Sequence, residues 1–91
     1  VRSKNSKAIT RAESEHLFRV KESGCAVCGV GGIVEAHHVK QGCHWLTIGL
    51  CPECHRGPQG IHGDKTLWRI YKMTEETALN ETLRRVYGDS R

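Results

Sequence analysis

Residues 1–9 are polar and carry no apolar periodicity, so ordered structure is expected to begin near Thr10. Thr10-Arg11-Ala12-Glu13 has the form of a capping box, in which the Thr hydroxyl and the Glu carboxylate each accept an amide proton at a helix start. Leu17, Phe18 and Val20 add a short apolar stripe, and Gly24 can take the left-handed conformation that ends a helix. A helix over about 11–22 is predicted. Beyond it the pattern changes. Gly29, Gly31, Gly32, Gly42 and Gly49 interrupt any helix, while Ile33 to Val39 and Trp45 to Leu50 are rich in β-branched and apolar residues, which predicts two short strands. Arg56-Gly57-Pro58-Gln59-Gly60 reads as loop by its turn chemistry. Asp64 can cap a helix carrying Leu67, Trp68, Ile70 and Tyr71. Thr74, followed by Glu75 and Glu76, can cap a last helix with Leu79, Leu83 and Val86 on one face. Arg84 and Arg85 suit the carboxyl end of that helix dipole, and Gly88 stops it.

Length and composition limit what these elements can build. The chain has 91 residues, 37% of them apolar and 5% aromatic, which bounds it to one domain. A chain of this size buries only about 60–65% of the surface exposed on unfolding, so a staple beyond hydrophobic burial is expected. Residues 1–9 read as a flexible basic arm, 10–88 as a single domain and 89–91 as a tail. The formal charge is +4, but Arg2, Lys4 and Lys7 supply three of those charges and the rest of the chain is nearly neutral. A basic arm suits a polyanion, because each neutralised phosphate releases a counterion; a solvated tail is the plain alternative. No run approaches the ~18 apolar residues of a membrane span, and nothing resembles a secretory signal. A cytoplasmic protein with no membrane partner is expected.

Cys25-x-x-Cys28 and Cys51-x-x-Cys54 are two thiol pairs separated by 22 residues. A Cys-x-x-Cys turn aims two thiolates at one point, and two such turns give the four soft ligands of a structural Zn²⁺. Two disulfides or a redox dithiol are the alternatives; the first lacks an oxidising compartment and the second does not need two pairs. Structural zinc contributes on the order of 10 kcal/mol of apparent folding free energy, enough to decide whether so thin a core folds. Cys43 reads as a small, half-buried hydrophobe.

Five of the six histidines fall between positions 37 and 62, interleaved with the thiol pairs. His37 and His38 are adjacent near the end of a predicted strand, where successive side chains point to opposite faces, so the two should do different jobs. One can bind a metal while its neighbour addresses a substrate. His16 stands apart on the first helix and is expected to be a surface or core residue.

His-His in a strand, then Leu-Cys-x-x-Cys-His, then a further His before a helix, resembles the HNH nucleases of the ββα-metal fold. The resemblance runs from about Cys25 to Tyr71, roughly half the chain, and is closest to small bacteriophage and prophage HNH proteins in Leu50-Cys-Pro-Glu-Cys-His-Arg-Gly-Pro-x-Gly-Ile-His-Gly63. It implies an α+β fold: a ββα-metal (His-Me finger) core with a zinc knuckle pair, flanked by an N-terminal and a C-terminal helix. It assigns His37 to a catalytic metal and His38 to the general base. It also assigns His62, acting from the helix, to that metal, with His55 as a third ligand. Six residues separate His55 from His62 where the family commonly has three. The family's middle Asn has no counterpart between the His pair and the second thiol pair; His44 or a backbone carbonyl takes its place. Asp64 is a substitute ligand on this view and a helix cap on the plainer one.

The chemistry is coherent beside that resemblance. Hydrolysing a phosphodiester needs a deprotonated water, a Lewis acid on the phosphate and stabilisation of the departing oxygen. With an ordinary pKa near 6.5, about three quarters of a histidine is neutral at pH 7 and available as a base. Imidazole ligands leave the divalent ion open among Mg²⁺, Mn²⁺, Ni²⁺, Co²⁺ and Zn²⁺. Lys40, Arg56, Lys65 and Arg69 flank the site as candidate phosphate contacts, although each taken singly is an ordinary solvated charge. Duplex DNA is the substrate by resemblance, since no array of exposed aromatics suggests single-strand stacking. Trp45 and Trp68 are expected in the core. So small a site borrows specificity, which adds a recruiting protein to the expected partners. The rival reading is a noncatalytic zinc module that binds nucleic acid or protein and needs only the four thiols. A zinc deaminase is excluded because its His-x-Glu order is reversed here as Glu35-x-His37. A P-loop, a nucleophile elbow and a carboxylate pair for glycoside hydrolysis are likewise missing from the sequence.

Overall fold

The computed structural model describes residues 8–88. Their order is α1 (Arg11–Glu22), β1 (Glu35–His38), β2 (Thr47–Leu50), α2 (Pro52–Arg56), α3 (Leu67–Tyr71) and α4 (Glu75–Leu83), closed by a π-helical turn over Arg84–Gly88. This is an α+β fold built on one small hairpin. The ends of the proposed arm and tail, residues 1–7 and 89–91, lie outside the described residues.

The capping box of α1 forms as the sequence suggests: Thr10 Oγ1 accepts from the Glu13 amide at 3.1 Å, and the Thr10 amide donates to Glu13 Oε1 at 2.9 Å. The helix stops at Ser23, with Gly24 beyond it at φ +84°. The face turned inward is only partly the expected one: Val20 is buried and Leu17 half-buried, but Phe18 is not. His16 and Val20 are buried one turn apart, whereas Phe18 is 61% exposed. A polar ring can occupy the inner position because both its nitrogens find partners, Tyr87 Oη and Thr47 Oγ1.

β1 and β2 pair antiparallel with Glu35 opposite Leu50, Ala36 opposite Gly49, His37 opposite Ile48 and His38 opposite Thr47. Both strands are shorter than their apolar runs. Ile33 is exposed and Val34 donates its amide to Lys21 O at 2.8 Å, outside the hairpin. Trp45 and Leu46 are also exposed at the other end. Trp45 therefore lies outside the core, its ring 4.9 Å from that of His16, while Trp68 packs against the core as expected.

Every residue of β2 is buried. Ile48 and Leu50 join Cys25, Ala26, Val27, Val34, Cys54, Ile61, Leu67 and Ala78 in the central cluster, which holds no aromatic ring. Gly49 lies against the carboxyl end of α1, where a Cβ would sit 2.8 Å from Gly24 O and 3.0 Å from Val20 O. From the other side α4 approaches through small residues: Ala78 and Thr82 are fully buried, and Thr82 Oγ1 accepts from the Gly49 amide at 3.2 Å. The expected Leu79, Leu83 and Val86 stripe is thus only half-buried, rotated away by the contact Thr82 makes. No helix among the described residues is long and apolar enough to cross a membrane.

Candidate metal centres

Two separate clusters of ligating side chains flank the hairpin. In the first, one sulfur from each of Cys25, Cys28, Cys51 and Cys54 lies within 4.8 Å of every other. All are free thiols, and Cys28 Sγ and Cys51 Sγ are 3.7 Å apart. Four sulfurs at about 2.3 Å from a tetrahedral zinc have edges of about 3.8 Å, so the spacing fits an ion and is far too long for a disulfide. Each pair is bent into a turn by its own backbone: the Cys28 amide donates to Cys25 Sγ at 3.4 Å and the Cys54 amide to Cys51 Sγ at 3.5 Å. Burial raises the Cys25 thiol, but the amides of Cys28, Cys51 and Val27 outweigh it and bring it down to about 7. Cys28 and Cys54 are pushed up, first by burial and in part by the neighbouring sulfurs. Four closely packed sulfurs can all ionise only against a cation, and the donor set suits zinc.

The second cluster joins three elements distant in sequence. His37 comes from β1, His55 from α2 and His62 from the turn over 61–64, and one ring nitrogen of each lies within 4.8 Å of the other two. Ring centroids are separated by 5.2 Å (37 to 55), 5.3 Å (37 to 62) and 4.8 Å (55 to 62). α2 is missing from the sequence reading, and it is what carries His55. Its first residue is Pro52, and Cys51 Sγ caps it; Arg56, expected in the loop, is its last residue. The wide interval to His62 closes because the loop after α2 folds back on it: the Ile61 amide donates to Cys54 O at 2.9 Å and the His62 amide to His55 O at 3.0 Å. Gly60 makes that return possible, since a Cβ there would sit 2.6 Å from Cys54 O. His62 thus lies on a turn, not on a helix, because α3 begins only at Leu67. Asp64 stays outside the cluster and accepts from the Thr66 amide at 2.9 Å, just ahead of α3, whose N-cap is Thr66.

Two carboxylates hold this triad from outside. His37 Nε2 is 3.0 Å from Glu75 Oε2, and His55 Nδ1 is 2.7 Å from Glu35 Oε1. Glu35 also accepts from Arg56 Nε at 3.1 Å, and Arg56 first, His55 second, hold its carboxyl down at about 2. Burial lowers the pKa of His37, with Glu75 working against it; a neutral ring is the form that ligates a metal. His37 is buried, His55 half-buried and His62 exposed, so the triad is open on one side. Neither glutamate is visible as a site residue in the sequence. Glu75 reads there only as a helix-dipole residue, 38 positions from its partner.

His38 follows His37 but has different company, as expected of neighbours in a strand. Its Nε2 is 3.0 Å from Nδ1 of His44. Burial, then His44 and His37, lower its pKa, which favours the unprotonated ring. Of the basic residues proposed to meet phosphate, Lys40, Lys65 and Arg69 are exposed, while Arg56 is paired with Glu35. Cys43 is half-buried and belongs to neither cluster.

No family model, curated protein or solved structure matches the chain. What the geometry establishes is a small α+β domain with a four-cysteine cluster and a three-histidine cluster, each able to ligate a metal.

Proposed function

We propose that the chain is a metal-dependent endonuclease of the HNH, ββα-metal kind that hydrolyses phosphodiester bonds in duplex DNA. The observation that carries this reading is the meeting of His37, His55 and His62 at a partly open point, with a fourth histidine, His38, adjacent to His37 in the strand and outside the triad. The division of labour matches the chemistry. Cys25, Cys28, Cys51 and Cys54 hold a structural zinc and complete a core too thin to fold alone. His37, His55 and His62 hold a second divalent ion, which supplies Lewis acidity to the phosphate and its leaving oxygen. His38, kept neutral by its surroundings, accepts the proton of the attacking water. His44 orients that ring in the position of the family's Asn. Lys40, Lys65 and Arg69 receive the phosphate backbone.

A second reading, a noncatalytic metal-binding module, is favoured by one observation: Glu75 and Glu35 each hold one ring nitrogen, of His37 and His55 respectively, as the outer partners of a purely structural metal site would. Incubation of zinc-loaded protein with supercoiled plasmid in Mg²⁺, Mn²⁺, Ni²⁺, Co²⁺ or additional Zn²⁺ separates the two. Relaxation or linearisation by the native protein, lost in His38→Ala, is expected; no cleavage with any of these ions would leave the noncatalytic module.

A further inference from the structure

We infer that Glu75 and Glu35 are positioning residues that fix the tautomers of His37 and His55, so that the triad presents His37 Nδ1 and His55 Nε2 to its ion. This rests on the metal-binding reading of the triad. An ionised carboxylate can only accept a hydrogen bond, so the ring nitrogen facing it carries the proton. That nitrogen is Nε2 in His37, 3.0 Å from Glu75, and Nδ1 in His55, 2.7 Å from Glu35. A neutral imidazole has one lone pair left, on the opposite nitrogen in each case, and carboxylate acceptors of this sort orient the ring and raise its basicity as a ligand.

The two glutamates are anchored in different ways. Glu35 is shared with Arg56, whereas Glu75 opens α4, where Thr74 and Thr77 fix the helix start by accepting each other's amides at 2.8 and 3.1 Å. The carboxyl-terminal helix therefore contributes to a centre whose ligands all lie before residue 63. Neither carboxylate belongs to the ligand cluster itself.

The test uses full-length protein with zinc in the thiolate site. Long-range ¹H–¹⁵N correlation spectra report which nitrogen of each ring is protonated before a second ion is added, and Ni²⁺ titration by calorimetry gives the affinity of the triad. The native protein is expected to show His37 protonated at Nε2 and His55 at Nδ1. Glu75→Ala should weaken Ni²⁺ binding by about ten- to a hundredfold, as removal of such outer partners does elsewhere. Glu75→Gln, which keeps an acceptor but not the charge, should lose less and retain the tautomer. Glu76→Ala, on the same helical turn, should change neither, and Glu35→Ala should alter the His55 signals. Unchanged Ni²⁺ affinity in Glu75→Ala, or His37 protonated at Nδ1 in the native protein, would overturn the inference alone. Failure of the native protein to take up a second ion would overturn the metal-binding reading with it.

Discussion

His38 Nε2 and His44 Nδ1 face each other across 3.0 Å, with their rings nearly perpendicular at 79°. One of these nitrogens carries the proton and the other accepts it, so His44 fixes the direction in which His38 presents its second nitrogen.

If His38 is the base, its removal should cost the general-base contribution, about 10²–10⁴-fold in rate, without loss of zinc. His44→Ala should cost about tenfold, because the ring loses its orientation but remains available as a base. His44→Asn should recover part of that loss, since an amide can restore the hydrogen bond. Initial rates of plasmid relaxation, measured beside zinc content and circular dichroism, distinguish these outcomes from unfolding. Equal activity in native protein and His38→Ala would remove His38 from the mechanism.

The two clusters are unequal in their dependence on each other. α2 carries Cys51 at its cap, Cys54 within it and His55 directly after, and His62 is tied back to His55 by one amide. Loss of the thiolate ion should therefore dismantle the histidine cluster as well. Cys51→Ser or a strong chelator is expected to unfold the domain, consistent with the ~10 kcal/mol scale of structural zinc. His62→Ala should leave helicity and zinc stoichiometry intact because its side chain is exposed. Unchanged circular dichroism after verified zinc removal would contradict this hierarchy.

Local signals in the sequence succeeded at most places where structure was decided locally. The bounds of α1, the Thr10 capping box, the Thr74 cap, the two cysteine turns and the different surroundings of His37 and His38 all depend on residues within a few positions of one another. Most of what stayed illegible was set by tertiary partners. Phe18 looked like core and His16 was left open between surface and core, because nothing near His16 announces Tyr87, 71 residues away. The Leu79 stripe gave way to Ala78 and Thr82 because Gly49 offers a bare amide there. α2 was hidden inside a run whose Pro and Gly signalled only turns, although Pro is well suited to the first position of a helix. The glutamates behind the triad left no local trace at all.

Gly49 offers a test of how closely the layers approach. Its missing Cβ leaves room for Gly24 O, Val20 O and Ser23 Oγ, all of which would lie within 3.1 Å of an added methyl. Two of the three are backbone atoms that cannot swing aside. Gly49→Ala should destabilise the domain by about 1–3 kcal/mol, the usual cost of overpacking, without touching either ligand cluster. Urea unfolding of zinc-loaded protein measures it; a change within error would mean that α1 shifts freely against the hairpin.

The buried His16 gives a pH dependence whose sign follows from its hydrogen bonds. Thr47 Oγ1 is 3.5 Å from His44 O, a long contact in which only the Thr hydroxyl can donate; His16 Nε2–H then donates to Thr47 Oγ1 at 3.3 Å, and Tyr87 donates to His16 Nδ1 at 2.7 Å. This chain holds only with a neutral ring. Burial lowers the pKa of His16 below 6.5, and the Trp45 backbone opposes that shift only in part. As pH falls through 6.5 the unfolded chain takes up a proton that the folded chain refuses, so stability declines until the lower folded value is reached and then changes no further from this source. Above 6.5 the term vanishes because both states are neutral. His16→Gln removes the titrating group at a cost of about 1–2 kcal/mol for the hydrogen bonds lost. Zinc-loaded native and variant proteins unfolded in urea between pH 5.5 and 7.5 share the thiolates and the other five histidines, so those contributions cancel in the comparison. The native protein should lose stability more steeply on the acid side than the variant. Parallel curves would show that the folded interior accepts the proton as readily as water does, and the single-tautomer chain from Tyr87 to His44 could not then be the ground state.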